Sequence, residues 1–268
     1  MSKKLAITGG SRGIGRGIVR RMAKEGYDIA FTYSSERGKA QAEALVEEVT
    51  EKYAVKCFMH QFALNEKGTA EEFVRTAYDE LGGLDLLICN AGQSLVNSIY
   101  EMDEKTIDFL INLDFRSYLM AAREAGRIMG ENNIKGNIIF ISSCRGIRAF
   151  PYDELYGGLK AGLIRAIQTF ALDLAPYGIR ANCVSPGPIR VRTSEEMREE
   201  GVCEQEIEEY WIVDWRKRTV EIYELDYEGE TPKYYLLKTI TEENKDELQL
   251  LHFPKIKITF DELFDEID

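Results

Sequence analysis

Tyr156 and Lys160 are the two side chains of this sequence best suited to acid–base chemistry. They lie four residues apart in a segment with helical periodicity, and side chains at that spacing share one helix face. A phenol has a pKa of about 10 and is a poor proton donor or acceptor at neutral pH. Because a nearby ammonium group favours the phenolate, we expect Lys160 to bring the pKa of Tyr156 closer to neutral.

Two further polar residues are candidates, although each has a purely structural alternative. Ser143 closes a strand-like segment thirteen residues before Tyr156, and its hydroxyl could stabilise charge on a reacting oxygen. Asn112 lies in a helical segment, where its amide could equally bond to the backbone. A tyrosine and a lysine four apart also occur in many helices by chance, so the joint spacing carries the catalytic interpretation.

A glycine-rich segment near the N-terminus is a candidate phosphate site. It follows the apolar run that begins at Leu5 and reads Thr8-Gly9-Gly10-Ser11-Arg12-Gly13-Ile14-Gly15. Glycines allow a tight turn and a close approach of pyrophosphate to backbone N–H groups at a helix start. Such a cluster could be an ordinary turn, but its position after the first strand favours nucleotide binding.

Strand-like and helix-like patterns alternate through the first part of the chain, which predicts a doubly wound parallel sheet of Rossmann type. The predicted strands are Leu5–Thr8, Ile29–Tyr33, Val55–Phe62, Leu84–Cys89, Asn137–Ile141 and Arg180–Val184. The predicted helices cover about 14–22, 37–53, 69–81, 103–130 and 154–175. Ligands of such sheets bind beyond the carboxyl ends of the strands.

These residues together resemble the short-chain dehydrogenase/reductase family over about residues 1–195, and 3-oxoacyl-acyl-carrier-protein reductases most closely. The resemblance rests on five features that agree in order and spacing, besides Asn112. They are the TGxxxGxG pattern at Thr8–Gly15, the NAG pattern at Asn90–Gly92, Ser143, the YxxxK pattern at Tyr156 and Lys160, and Pro186-Gly187.

The resemblance implies an NADP(H)-dependent oxidoreductase that interconverts a small-molecule carbonyl and its alcohol. Tyr156 would protonate the carbonyl oxygen, Ser143 would hydrogen-bond the same oxygen, and Asn112 would position a water in a proton relay. Lys160 would hold the nicotinamide ribose. The implied cofactor contacts are Thr8, Gly9, Ser11, Arg12, Gly13, Ile14, Gly15, Ser34, Arg37, Asn90, Ala91, Gly92, Tyr156, Lys160, Pro186, Gly187 and Ile189.

NADP(H) is favoured over NAD(H) by the residues after the second predicted strand. An NAD site usually places a carboxylate there to bind the ribose hydroxyls. Here Ser34 and Ser35 occupy that place, and Arg12 and Arg37 can balance a 2′-phosphate. The adjacent Glu36 complicates this interpretation.

Several positions depart from the family pattern. Ala63 stands where an acidic residue near the adenine is usual, which removes a hydrogen bond worth about 1 kcal/mol. Val191 replaces a threonine that often contacts the nicotinamide amide, with Thr193 as a substitute. Gly157 and Gly158 weaken the helix that carries Tyr156 by about 1 kcal/mol each, so we expect them to permit a close approach of the cofactor or of a partner helix.

The composition changes near residue 200. Residues 1–200 hold 26 basic and 27 acidic residues, whereas residues 201–268 hold 8 and 19. We therefore predict two domains, 1–197 and 198–268, the second a small antiparallel β meander.

This tail resembles the C-terminal segment of a restriction-endonuclease-like family of the PD-(D/E)xK superfamily. That family's metal ligands would lie upstream of the segment, so we expect the tail to be structural and Asp214 to be a solvated acid.

Charge and composition exclude several classes. A net charge of −12 argues against nucleic-acid binding, and two histidines exclude a His-rich metal site. No apolar run approaches the roughly 20 residues of a membrane span, and no signal peptide is predicted. Five scattered cysteines show neither metal spacing nor a disulfide framework, which favours a reduced cytoplasmic compartment.

Two other functions stay open at this point. A nucleotide-binding protein with little catalysis is possible, because the family's usual substrate-covering helix and last strand are absent from the sequence. A nuclease-related role of the tail has less support, since no metal ligands accompany it. The resemblance also implies a homodimer through the helices that carry Asn112 and Tyr156.

Overall fold

The computed structural model describes residues 2–95, 97–187, 189, 209–214, 218–226, 233–249 and 258–264. Within these ranges the side chains of Arg37 and of residues 209–214, 225–226, 233–235 and 262 are not described. The chain divides into two compact units, Met1–Arg192 and Thr193–Asp268.

The first unit alternates strands and helices. The strands are β1 (Lys4–Ile7), β2 (Asp28–Tyr33), β3 (Cys57–Gln61), β4 (Leu86–Cys89), β5 (Asn137–Ile141) and β6 (Arg180–Val184). The helices are α1 (Gly13–Lys24), α2 (Glu36–Tyr53), α3 (Thr69–Leu81), α4 (Glu104–Ile111), α5 (Ser117–Glu131) and α6 (Glu154–Leu174). The predicted elements are therefore all present, with ends that shift by a few residues, except that one predicted helix is divided into α4 and α5.

The six strands form one parallel sheet in the order β3-β2-β1-β4-β5-β6. This order confirms the predicted doubly wound, Rossmann-like fold. The direction of winding reverses between β1 and β4, and the crevice at such a point is where these sheets bind ligands. The glycine-rich segment after β1 and the Asn90 segment after β4 flank that crevice.

Helices cover both faces of the sheet, which is why its inner strands are mostly apolar. Every residue of β2 is buried. On one face Val19 of α1 and Leu45 of α2 belong to one apolar cluster with Phe31, and on the other Phe73 of α3 and Tyr118 of α5 belong to a second. Parallel strands buried on both faces need such continuous apolar runs.

The helix predicted over 103–130 is interrupted in the structure. A π-helical turn at Asn112–Arg116 separates α4 from α5, and the Ser117 N–H bonds to the Asn112 carbonyl. A π turn inserts one residue without ending the helix, so the apolar periodicity on either side survives and conceals it. Such turns are frequent at functional sites.

The second unit contains the predicted antiparallel meander, β7 (Glu209–Asp214), β8 (Thr219–Asp226) and β9 (Lys233–Ile240). A short helix, α7 (Phe260–Phe264), contributes two phenylalanines to a core shared with Val220, Ile222 and Ile240. Leu237 on β9 is 42% exposed and lies at a register shift of the β8–β9 pairing. The side chains of Trp211, Ile212 and Tyr235 lie outside the described residues.

A search of the described residues for a helix long and apolar enough to cross a membrane finds none.

Candidate active site

Thr8 and Asn90 tie together the segments that follow β1 and β4. The Thr8 hydroxyl accepts hydrogen bonds from the backbone N–H groups of Asn90 at 2.9 Å and Ala91 at 3.0 Å. The Asn90 amide donates to the carbonyls of Thr8 at 3.1 Å and Gly9 at 2.9 Å. The two sequence motifs are therefore one structural unit at the crevice, which neither could show alone.

The glycines of the first motif are required by contacts within this unit. Gly9 has a φ of +68°, and a Cβ there would lie 2.9 Å from the Ala91 Cα. A Cβ on Gly15 would collide with the Gly9 carbonyl oxygen and lie 2.7 Å from the Asn90 amide nitrogen. The backbone of α1 therefore starts directly against the turn after β1.

The start of α1 is suited to an anion. Arg12 at the N-cap forms no side-chain cap, and the first turn carries no acidic residue. The first N–H groups of a helix lack intrahelical partners and attract phosphate oxygens. Ser11 is buried beneath this turn, whereas Arg12 is exposed, and Gly13 and Ile14 are partly buried. The cradle made by these residues fits the pyrophosphate of a dinucleotide.

The segment after β2 lies beside the same turn. Gly38 in the first turn of α2 is close enough to Ser11 that a Cβ would come within 3.8 Å of the serine hydroxyl. Ser35 caps α2 by accepting a hydrogen bond from the Gly38 N–H at 3.3 Å. Ser34 and Glu36 are exposed, and the Arg37 side chain lies outside the described residues.

Ser143 lies at the end of β5, against the start of α6. Two glycines allow this approach: a Cβ on Gly146 would lie 2.7 Å from the backbone of Lys160, and one on Gly157 would lie 3.0 Å from the Arg145 carbonyl oxygen. The close neighbour of Gly157 is thus the loop after β5, whereas a close approach of the cofactor or of a partner helix stays a prediction. Among the described residues, none has an atom within 4 Å of a Cβ placed on Gly158.

Tyr156 and Lys160 share one face of α6, as their spacing predicts. The Lys160 nitrogen lies 5.4 Å from the centroid of the Tyr156 ring, and the Ser143 hydroxyl is near enough to the Tyr156 phenol to act against the rise of its pKa. Lys160 is only 3% exposed. Ser143, Tyr156 and Lys160 are therefore assembled at the carboxyl end of the sheet.

The pKa of Tyr156 differs from our expectation. Burial, followed by the negative charge of Asp114, raises it to about 12, while Ser143 and Arg145 act in the opposite direction. The expected lowering by Lys160 fails because the ammonium is neutralised by a carboxylate, since Asp114 lies 3.0 Å from the Lys160 nitrogen. The phenol is thus a proton donor throughout the neutral range.

Asp114 is the residue of this centre that sequence reasoning missed. It is fully buried in the π-helical turn, one helical turn before Tyr118. The available signal was a carboxylate placed directly between two large apolar residues, Leu113 and Phe115. Asn112, two residues earlier, is partly exposed and supplies its backbone carbonyl to the π turn.

The remaining predicted residues lie at the end of β6. The Pro186 carbonyl accepts a hydrogen bond from the Cys144 N–H at 2.9 Å, so this segment is attached to the loop that follows Ser143. Gly187 and Ile189 are exposed at this edge. Val191 and Thr193 lie outside the described residues.

Among the described residues no cluster of histidine, cysteine and carboxylate side chains could hold a metal ion.

Comparison with known proteins places these features in a family. The family model described as Enoyl-(Acyl carrier protein) reductase matches residues 9–225. The chain is 33% identical over 187 residues to 3-oxoacyl-[acyl-carrier-protein] reductase FabG of Staphylococcus epidermidis, covering 70% of this chain and 75% of the relative. It is 30% identical to L-2,3-butanediol dehydrogenase of Corynebacterium glutamicum, covering 70% and 72%.

Among solved structures the fold is similar to a blue fluorescent protein from a metagenomic library in complex with NADPH. The TM-score is 0.67 at 36% identity, and the match covers 71% of this chain and 76% of that one. The matched part of the chain is thus shared with both reductases and dehydrogenases.

Proposed function

Because the chain belongs to the short-chain dehydrogenase/reductase family, we propose that it reduces a carbonyl to an alcohol with NADP(H) through Ser143, Tyr156 and Lys160. The observation that carries this proposal is the assembled site: a phenol, a hydroxyl and a buried ammonium beside a glycine turn that fits pyrophosphate. The completeness of this set argues against a protein that only binds nucleotides. A 3-oxoacyl thioester or a small ketone is the proposed substrate class.

The proposed mechanism follows from the geometry. The hydroxyls of Ser143 and Tyr156 lie near each other at this site, and both would donate to one carbonyl oxygen. Tyr156 then transfers its proton to that oxygen as negative charge develops, and Ser143 stabilises the charge. The nicotinamide supplies the hydride when bound, and Lys160 would hold its ribose. Asn112 remains the proposed residue for a water that returns the proton.

The test of this function is a turnover assay. NADPH oxidation, followed by its absorbance, is measured with 3-oxoacyl thioesters and with small ketones and diketones. We expect turnover with at least one class and saturation with both substrate and NADPH. Tight NADPH binding without turnover on any of them would instead support the binding-only alternative.

The cofactor of this chain is NADP(H), and we predict tighter binding of NADPH than of NADH. In the described segment after β2, Glu36 is the one carboxylate next to Ser34 and Ser35, and Arg12 in the turn after β1 is exposed. Arg12→Ala should weaken NADPH binding about tenfold, because a charge-assisted hydrogen bond is worth about 1.5–3 kcal/mol, and should leave NADH binding nearly unchanged.

Fluorescence titration of both cofactors checks this cofactor preference. Arg16→Ala, on the same helix, serves as the matched control and should leave both dissociation constants unchanged. Equal constants for NADPH and NADH in the unaltered protein would contradict the preference.

We also propose a cytoplasmic homodimer. The helices that carry Asn112 and Tyr156 are present as α4, α5 and α6, and Leu172 on α6 is 75% exposed. Light scattering coupled to size exclusion should give twice the mass of the chain. A tetramer mass would contradict the prediction.

A further inference from the structure

Asp114 is a fully buried carboxylate for which the proposed reaction has no role. Its side chain has no solvent exposure. Burying an unpaired carboxylate is strongly unfavourable, so such a group is retained only with compensating partners. Burial accordingly raises the pKa of Asp114, and the ammonium of Lys160 acts in the opposite direction.

The partners of Asp114 come from two other elements of the site. One carboxylate oxygen lies 3.0 Å from the Lys160 nitrogen on α6, and the other accepts a hydrogen bond from the Gln93 backbone N–H at 3.0 Å. Gly92 lies directly against this pair. A Cβ on Gly92 would collide with Asp114 and come within 3.3 Å of the Lys160 nitrogen.

The other contacts of the Lys160 ammonium are weaker. The Tyr118 hydroxyl and the Ile141 carbonyl oxygen both lie at 3.5 Å, and the Tyr118 ring centroid lies at 4.9 Å. The contact with Asp114 is therefore the short, charged one that fixes the end of a side chain with four rotatable bonds.

We propose that Asp114 is a positioning residue of the active centre, whose carboxylate fixes the Lys160 ammonium and the Gln93 backbone and so limits the action of Lys160 on Tyr156. The inference rests on the proposed function for the identity of the reaction. The carboxylate joins the π turn, the segment after β4 and α6, which are the three elements that must stay in register for Lys160 to meet both Tyr156 and a ribose.

The electrostatics around Tyr156 agree with this role. Two acid–base pairs face the phenol: Asp114 with Lys160, and Asp153 with Arg145 at 3.2 Å. Burial raises the pKa values of the other titratable groups nearby, so they are neutral at physiological pH; these groups are Cys89 on β4, Tyr118 on α5 and Cys183 on β6. Removing the Asp114 charge would leave Lys160 uncompensated beside the phenol and lower the pKa of Tyr156.

The test is Asp114→Asn, which keeps the size of the side chain and an oxygen for the Gln93 N–H. In the direction of alcohol oxidation Tyr156 acts as a base, so the rate should rise with pH through its pKa. We expect the rising limb of kcat/KM in Asp114→Asn to move at least about one pH unit lower than in the unaltered protein. In parallel, the Tyr156 titration is followed through its 13Cζ chemical shift, assigned by the signal lost in Tyr156→Phe.

Control variants distinguish an effect of Asp114 on the position of Lys160 from a general loss of stability. They also distinguish a failure of this inference from a failure of the proposed reaction. Glu124→Gln removes a buried carboxylate of α5 that pairs with Arg127 and Arg75, and should change the melting temperature but neither pH midpoint. Asp114→Ser repeats the test if the asparagine variant does not fold. If the unaltered protein turns over no carbonyl, the proposed function fails, yet the 13C titration still decides the role of Asp114.

An unmoved Tyr156 midpoint in a folded Asp114 variant would overturn the proposal. So would loss of the fold in both variants, because Asp114 would then be a stabilising residue of the core.

Discussion

Replacing Tyr156 with phenylalanine is expected to lower kcat for carbonyl reduction about 1000-fold, since a general acid contributes roughly 10²–10⁴ in rate. The ring stays in its half-buried place on α6, so the dissociation constant of NADPH should change by less than about twofold. Because the pKa of Tyr156 is raised to about 12, the phenol stays protonated near neutral pH. The rate of carbonyl reduction by the unaltered enzyme should therefore show no pH dependence from this group in the neutral range. Steady-state kinetics and cofactor titration measure both effects.

Tyr177→Phe is the matched control for this substitution. Tyr177 follows α6, is 59% exposed, and takes no part in the site, so the same loss of a hydroxyl should leave kcat unchanged. A Tyr156→Phe enzyme with undiminished kcat would show that another group donates the proton.

Replacing Gly15 with alanine is expected to weaken NADPH binding about 10- to 100-fold. The new Cβ would collide with the Gly9 carbonyl and approach the Asn90 amide, so the turn after β1 must move away from the start of α1. Overpacking of this kind costs about 1–3 kcal/mol, and each 1.4 kcal/mol corresponds to a factor of ten in affinity. Isothermal titration with NADPH measures the change.

Gly17→Ala, two residues further along α1, is the control because no described residue has an atom within 4 Å of a Cβ at that position. Alanine is favoured over glycine in helices by about 1 kcal/mol, so this variant should melt at a higher temperature and bind NADPH normally. Equal affinities of the two variants would mean that the Gly9–Gly15 contact does not shape the cofactor site.

The sequence by itself determined the order of strands and helices and the side chains available for chemistry. The spacing of Tyr156 and Lys160 placed them on one helix face, because helical geometry fixes neighbours four residues apart. The glycine segment after β1 was likewise readable, because phosphate binding at a helix start depends on local backbone. The break near residue 200 and the antiparallel pairing of β7, β8 and β9 followed from charge and from turn spacing.

Tertiary structure alone decided which groups face each other across the site. Asp114 and Lys160 are 46 residues apart, and their ion pair depends on a π turn that the apolar periodicity conceals. The pKa of Tyr156 was misjudged for the same reason. The spacing along the helix reveals only the nearby lysine, whereas burial and the carboxylate of Asp114, distant in sequence, raise the pKa. Long-range contacts in a buried site have no local signature, because burial and charge depend on every element packed around them.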